Sequence, residues 1–316
     1  MFEKIIDKIE QYDSIVLFGH LNPDGDCYGS QIALRAIFKE HYPNKQVFAV
    51  GSGLPKFFHL LGTMDQVSEE IIKNSLAVIL DSNDLNRVED KRVFSALDYA
   101  KIDHHIDNHS FHEGPEVIST EVTSTSELIC LLAKENNFVI PLVAAKALYL
   151  GILTDSSRFQ YATNYTQLFD IVKNLINIGA KPIELTSILN VVPEKNLEIK
   201  SFIYRNIQKD PGGILYVTAS NKDRENLGIT STQVTANTSL ISHIDGYPVW
   251  FVASETDNGG MQVEMRSNLI NVHRIATIFG GGGHTFAAGF FVNKYSQENI
   301  EKLLNYLREA IKEKEA

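Results

Sequence analysis

Four short segments of the sequence carry residue types able to hold metal ions or move protons. The first is His20-Leu21-Asn22-Pro23-Asp24-Gly25-Asp26. It sets one imidazole and two carboxylates on a stretch containing two turn dipeptides, Asn-Pro and Asp-Gly. Such a segment can be no more than a polar loop with a helix N-cap. It can also aim all three groups at one point, and an oxygen-plus-imidazole set suits Mn²⁺ or Mg²⁺ better than thiophilic ions. The second is Asp81, directly after the apolar run Leu76 to Leu80, with Ser82, Asn83 and Arg87 close by as polar groups for a substrate. The third is Asp103-His104-His105, and the fourth is Asp155, closing Gly151-Ile152-Leu153-Thr154-Asp155. Alone, Asp81 is also an ordinary strand-end cap, and Asp155 an ordinary residue after a helix.

The elements that would position these groups are legible as patterns. Ser14 to Gly19, Gln46 to Val50, Leu76 to Leu80 and Tyr99 to Ile102 are short apolar runs suited to buried parallel strands. Cys27 to Lys39, Ser126 to Glu135 and Leu142 to Leu153 have helical spacing. Strands alternating with helices predict an α/β fold with a parallel sheet covered on both faces. Ligands of such sheets bind beyond the carboxyl ends of the strands. His20, Asp81 and Asp103 fall at those ends.

Pro182 to about Ile207 reads as helical and connects to a second α/β region. There, Ile214 to Thr218, Pro248 to Ser254, Gln262 to Arg266 and Phe290 to Val292 read as strands. Asn271 to Phe279 and Ser296 to Lys314 read as helices, and Gly280 to Gly283 as a glycine loop.

Composition limits the partner. The chain has 316 residues, 44% of them hydrophobic, and a formal net charge of −10. That charge argues against a broad basic track for long nucleic acid. A nucleic-acid substrate should be small and held by a few local cations. The two cysteines, Cys27 and Cys130, match no metal spacing and are expected as free thiols in a reducing compartment. Met1 to Asp13 lacks an apolar signal core, and no apolar run approaches the roughly 20 residues that span a membrane. The expectation is a cytoplasmic protein with no membrane partner.

Taken in order, HxNPDGD, an Asp after a strand, DHH and then TD resemble the motif series of the DHH phosphoesterase superfamily. Gly280-Gly281-Gly282-Gly283-His284 with Ala287-Ala288-Gly289 resembles the DHHA1 signature, and Glu264-Met265-Arg266-Ser267 the strand before it. The resemblance spans the whole chain and is nearest to the stand-alone nano-RNase (NrnA-like) proteins. Cys27, where small residues are common, and one extra glycine are the departures. The resemblance implies a DHH catalytic domain over 1–190, a helical linker over 191–210 and a smaller DHHA1 substrate-binding domain over 211–316.

It further implies two divalent ions, Mn²⁺ first and Mg²⁺ second, that share Asp81. His20, Asp24 and Asp81 would hold one; Asp26, Asp81, His104 and Asp155 the other. Asp81 and His105 would be catalytic, His105 through the phosphate or the leaving oxygen. Arg266, Ser267, Gly281, Gly282, Gly283 and His284 would bind the remainder of the substrate. Arg158, next to Phe159 and close after Asp155, is a further candidate from its position alone, and equally an ordinary exposed surface arginine. The activity implied is hydrolysis of nanoRNA and of linear dinucleotides such as pApA to 5′-mononucleotides, with pAp dephosphorylation beside it. A homodimer is left open.

Three rivals compete. A family II inorganic pyrophosphatase shares related metal motifs but lacks the GGGH segment. A RecJ-like exonuclease is longer, and the −10 charge disagrees with a polymer substrate. A non-catalytic nucleotide-binding regulator would be expected to have lost ligands, and all six expected positions are filled.

Overall fold

Parallel strands buried on both sides must be apolar at every position, and the first half of the chain supplies such runs. The computed structural model describes residues 1–52, 61–82, 84–105, 114–191 and 193–315. The chain folds into two units, Met1–Val191 and Val192–Ala316.

In the first unit, helix α1 (Glu3–Glu10) precedes β1 (Ser14–Phe18), α2 (Gly25–His41) and β2 (Gln46–Ala49). Then come α3 (Glu69–Lys73), β3 (Leu76–Leu80), β4 (Asp98–Asp103) and β5 (Glu116–Ile118). Four helices follow: α4 (Thr125–Glu135), α5 (Leu142–Asp155), α6 (Tyr165–Ile178) and α7 (Pro182–Asn190). The sheet order is β2-β1-β3-β4-β5, and every pair is parallel.

Alternation along each strand divides the apolar residues between two cores. Ile15, Leu17, Val78, Leu80 and Ile102 pack with α1, α2, α4 and α5. Val16, Phe18, Ala77, Ile79 and Tyr99 pack with Ile72 of α3 and with Val88 and Val93. The chain reverses its direction of travel across the sheet between β1 and β3. Their carboxyl ends therefore form the switch-point crevice where ligands bind in this class of sheet.

The second unit begins with α8 (Lys195–Arg205), β6 (Gln208–Asp210) and β7 (Ile214–Ala219). It continues with α9 (Asn221–Leu227), α10 (Ser231–Thr235), β8 (Val249–Glu255) and β9 (Met261–Ser267). It ends with α11 (Val272–Ile278), β10 (Gly282–His284), β11 (Ala287–Val292) and α12 (Gln297–Glu315). The sheet runs β10-β11-β9-β8-β7-β6. Only β7 and β8 pair in parallel; the other neighbours are antiparallel. Helices α11 and α12 cover one face. The other carries Leu215, Val217, Trp250 and Val252 with α8 and α10.

The α/β class and the parallel first sheet agree with the sequence. Several elements differ. The Met1 to Asp13 stretch contains helix α1, Glu3–Glu10, where Ile5, Ile6 and Ile9, with Phe2 just before it, line one buried face. The stretch from Pro182 to Ile207 is two helices, and the second, α8, buries Ile199 and Ile203 in a core of the second unit. The expected glycine loop, Gly280 to Gly283, is half turn and half edge strand. Gly280 and Gly281 turn the chain at the end of α11, where their N–H groups bond Thr277 and Ala276 carbonyls. Gly282 to His284 then pair with β11. A side chain at Gly281 would strike the Gly289 carbonyl, and one at Gly283 would lie 2.5 Å from that of Ala287. Backbone crowding at both positions, and a φ of 135° at Gly283, require glycine there.

Candidate active site

His20 follows β1, and its ring reaches across to β3, where Asp81 follows the last strand residue. His20 Nε2 lies 3.4 Å from Asp81 Oδ2 and 3.8 Å from Asp24 Oδ1. Asp81 adopts a left-handed backbone, φ 58°, a costly conformation for a non-glycine residue that is concentrated at functional positions. The side chain is 2% exposed. Its other oxygen, Oδ1, accepts from the Thr125 hydroxyl at 3.0 Å and lies 3.3 Å from His104 Nε2. The two carboxylate oxygens of Asp81 thus face two different imidazoles.

His104 gathers a second set. Its Nε2 lies 3.1 Å from Asp155 Oδ2 and 4.0 Å from Asp26 Oδ2. Asp155 is the last residue of α5, so it comes from a helix end and not from a strand end. Asp26 sits in the first turn of α2, wholly buried. It accepts backbone N–H bonds from Thr125 at 2.7 Å and Ser126 at 2.9 Å. These are open donors at the start of α4, where the helix dipole favours negative charge. Asp24 caps α2 by accepting from the Asp26 and Cys27 N–H groups, each at 3.0 Å, and stays half exposed.

Close helix packing makes this convergence possible. A side chain at Gly29 of α2 would meet the Ala147 carbonyl of α5 at 2.6 Å. One at Gly151 of α5 would strike Ser126 Oγ and lie 2.8 Å from Asp26 Oδ1. Glycine at both positions lets α2 and α5 approach until Asp26 and Asp155 share one imidazole.

The electrostatics describe a cluster short of positive charge. Burial, reinforced by the charges of Asp81 and Asp155, holds the Asp26 carboxyl well above the usual range. Burial raises Asp155 as well. Burial acts the same way on Asp81, but bonds from His104 and His20 outweigh it and hold that carboxyl low. Burial disfavours the imidazolium forms of His20 and His104; their carboxylate partners overcome it and raise both rings. The carboxylate and imidazole donors are those of a site for hard divalent ions. Three overlapping donor groups each lie within 4.8 Å: His20, Cys27, Asp81; Asp81, His104, His105; and Asp26, His104, Asp155. The residues fit such ions.

His20, Asp26, Asp81, His104 and Asp155 therefore fall within these donor groups, carried by the ends of β1, β3, β4 and α5 and by the first turn of α2; Asp24 lies 3.8 Å from His20 and belongs to none of the three. His105 adjoins them, with Nδ1 3.6 Å from Asp81 Oδ1. Cys27, read as a plain free thiol, is free but belongs to the wall of the site. Its Sγ accepts the His20 N–H at 3.2 Å, and burial pushes the thiol up to about 11. Thr125 and Ser126 went unassigned in the sequence. The signal available was Ser124-Thr125-Ser126-Glu127, the Ser/Thr-x-x-Glu pattern of a helix start. Ser82 is buried and bonds the Asp84 carbonyl, and Asn83 lies outside the described residues.

In the second unit, Arg266 and Glu264 project from one side of β9, because Val263 and Met265 fill the other. Arg266 Nη1 lies 3.1 Å from Glu264 Oε2 and 2.9 Å from the Met265 carbonyl. Ser267 is buried; its hydroxyl donates to Pro248 and accepts from Leu269 and Ile270. Gly282 and His284 belong to edge strand β10, and His284 is exposed. Arg158 is exposed in the first unit and bonds Asn190 Oδ1 at 2.6 Å. It lies within Ser157 to Phe159, three successive non-glycine residues with positive φ that begin two residues after Asp155.

Comparison with known proteins agrees with both units. Residues 14–152 match the N-terminal domain of the DHH family, and residues 212–313 match the DHHA1 domain. A bifunctional oligoribonuclease and PAP phosphatase NrnA of Mycoplasma genitalium is 34% identical, over 92% of each chain. The Bacillus subtilis protein of the same name is 29% identical over the full length of both. The crystal structure of an exopolyphosphatase-related protein from Bacteroides fragilis superposes with TM-score 0.85 at 20% identity, covering 98% of this chain and 96% of that one. That likeness speaks for the fold alone. Among the described residues no helix is long and apolar enough to cross a membrane. With a 34% identical relative covered almost end to end and both domains matched, the chain belongs to the DHH family of metal-dependent phosphoesterases and carries a DHHA1 domain.

Proposed function

We propose that this protein is a cytoplasmic two-metal phosphodiesterase that cleaves very short oligonucleotides, pApA among them, to 5′-mononucleotides. It also removes phosphate from pAp. The observation that carries the reading is the divided carboxylate of Asp81, with one oxygen toward His20 at 3.4 Å and the other toward His104 at 3.3 Å. Two ligand sets meeting at one shared carboxylate suit two neighbouring ions. The relatives named for oligoribonuclease and PAP phosphatase activity support the substrate class.

In this reading His20, Asp24 and Asp81 hold one ion, and Asp26, Asp81, His104 and Asp155 the other. Mn²⁺ is the first choice and Mg²⁺ the second. Four carboxylates balance two divalent charges. When bound, the ions supply Lewis acidity and make water a nucleophile near neutral pH. The protein's own groups do the remainder. The α4 N–H groups keep Asp26 fixed, Thr125 keeps Asp81 fixed, and His105 bonds the phosphate or the leaving oxygen. The first unit, Met1–Val191, is the catalytic domain, and α8 and β6, within the expected connection 191–210, pack into the second unit. Residues 211–316 hold the remaining nucleotide through Arg266, His284 and the backbone of Gly281 to Gly283.

A panel of pApA, longer 5′-phosphorylated RNAs, pAp and pyrophosphate, assayed with Mn²⁺ and with product identification, tests this reading. AMP from pApA at the highest kcat/KM is expected. Pyrophosphate hydrolysed far faster than any dinucleotide, or full activity in a strong chelator, refutes it.

A further inference from the structure

Asp103 closes β4 and is completely buried, yet it belongs to neither ligand set. Its Oδ1 lies 2.8 Å from His105 Nδ1 and accepts the His105 backbone N–H at 3.2 Å. Its Oδ2 is buried with no hydrogen-bond partner among the described residues. A buried carboxylate oxygen left without a partner is costly, and such groups persist where something else requires them. The Asp81 oxygen near the same imidazole nitrogen is 3.6 Å away, beyond hydrogen-bond reach. The short contact belongs to Asp103.

A carboxylate has no proton to give, so the 2.8 Å contact places the ring proton on Nδ1. The neutral imidazole then carries its lone pair on Nε2, and the protonated one offers Nε2–H in a single direction. We propose that Asp103 is a positioning residue for His105, fixing both the tautomer and the direction in which Nε2 meets the phosphate. The inference rests on the reading of His105 as the group that touches substrate. The simpler role for Asp103 is a turn in which its side chain accepts the N–H two residues on. Asparagine makes that turn equally well but offers His105 an amide that can donate. Asp103→Asn therefore separates the two roles.

With the Mn²⁺-loaded enzyme and pApA, Asp103→Asn should lower kcat by about 10²–10⁴-fold, the scale of carboxylate-to-amide exchange behind a working histidine. KM should stay within about threefold, and Mn²⁺ content and melting temperature should not change. An independent readout is nitrogen-15 NMR of the full-length chain with Mg²⁺, the His105 signal being identified by its loss in His105→Ala. The wild type should show a downfield, strongly hydrogen-bonded Nδ1–H that disappears in Asp103→Asn. A wild-type His105 with no proton on Nδ1 overturns the proposal without any Asp103 variant. So does an Asp103→Asn enzyme within threefold of wild-type kcat while His105→Ala is inactive. If His105→Ala itself retains full activity, the catalytic reading of His105 fails instead, and the NMR result still decides what Asp103 does.

Discussion

Thr125 bonds two carboxylates of the site at once: its hydroxyl donates to Asp81 at 3.0 Å, and its backbone N–H donates to Asp26 at 2.7 Å. Thr125→Val keeps the shape and the N–H but removes the hydroxyl. Loss of a partner behind a metal ligand commonly costs 10–100-fold in metal affinity or activity. A Mn²⁺ titration of activity should move its midpoint upward by about that factor. An unmoved midpoint would show that Asp81 needs no such support.

Asp81→Ala should remove activity and both ions together, because no other carboxylate among the described residues faces both His20 and His104. Bound ligand stabilises a fold by about 2.7 kcal/mol at a hundredfold excess over Kd. Wild-type protein should therefore melt higher in Mn²⁺, and Asp81→Ala should show no such rise. Metal analysis that finds one ion retained in the variant would count against a shared ligand.

Gly151→Ala should lower stability by about 1–3 kcal/mol, the usual penalty for overpacking. The added methyl meets Ser126 Oγ and lies 2.8 Å from Asp26 Oδ1. Denaturant melts measure the stability loss. Metal affinity should fall with it, because the displaced carboxylate is a proposed ligand.

Arg266→Ala should raise KM for pApA by an amount equivalent to about 1.5–3 kcal/mol, the range for a charge-assisted bond, with metal content intact. Turnover measured on a ladder from two to about twenty nucleotides should fall with length, since the −10 charge offers a polymer little attraction. A profile rising with length would favour a polymer exonuclease.

Asp210 on β6 accepts from Arg308 Nε at 3.1 and 3.2 Å, and this guanidinium holds its carboxyl below the ordinary 3.8. A depressed folded-state value means stability that is complete above the unfolded pKa and lost as pH falls through the folded one. Asp210→Ala should cost about 1–2 kcal/mol at pH 7, discounted for the part-exposed arginine. It should also flatten the stability decline below about pH 4. Chemical denaturation at pH 7 and pH 3 checks both.

Strands β1 to β4, helices α2, α4 and α5, and six candidate ligand residues are legible in the sequence alone. Apolar runs, helical spacing and turn dipeptides act within a few residues, so they can be read along the chain. It did not show β5, whose three residues are too short to leave a pattern, nor that Gly282 to His284 form a strand, since their pairing depends on β11 far more than on their own propensity. Which carboxylates share an imidazole is set by packing between distant segments. That follows from the close crossing of α2 and α5 at Gly29 and Gly151, and from the start of α4 meeting Asp26 almost a hundred residues away. Packing also decided the partner of His105. Asp103 is two residues earlier in the chain, but whether its carboxylate turns toward that ring or toward solvent is settled by the burial of β4 in the sheet, which leaves its oxygen no water to bond.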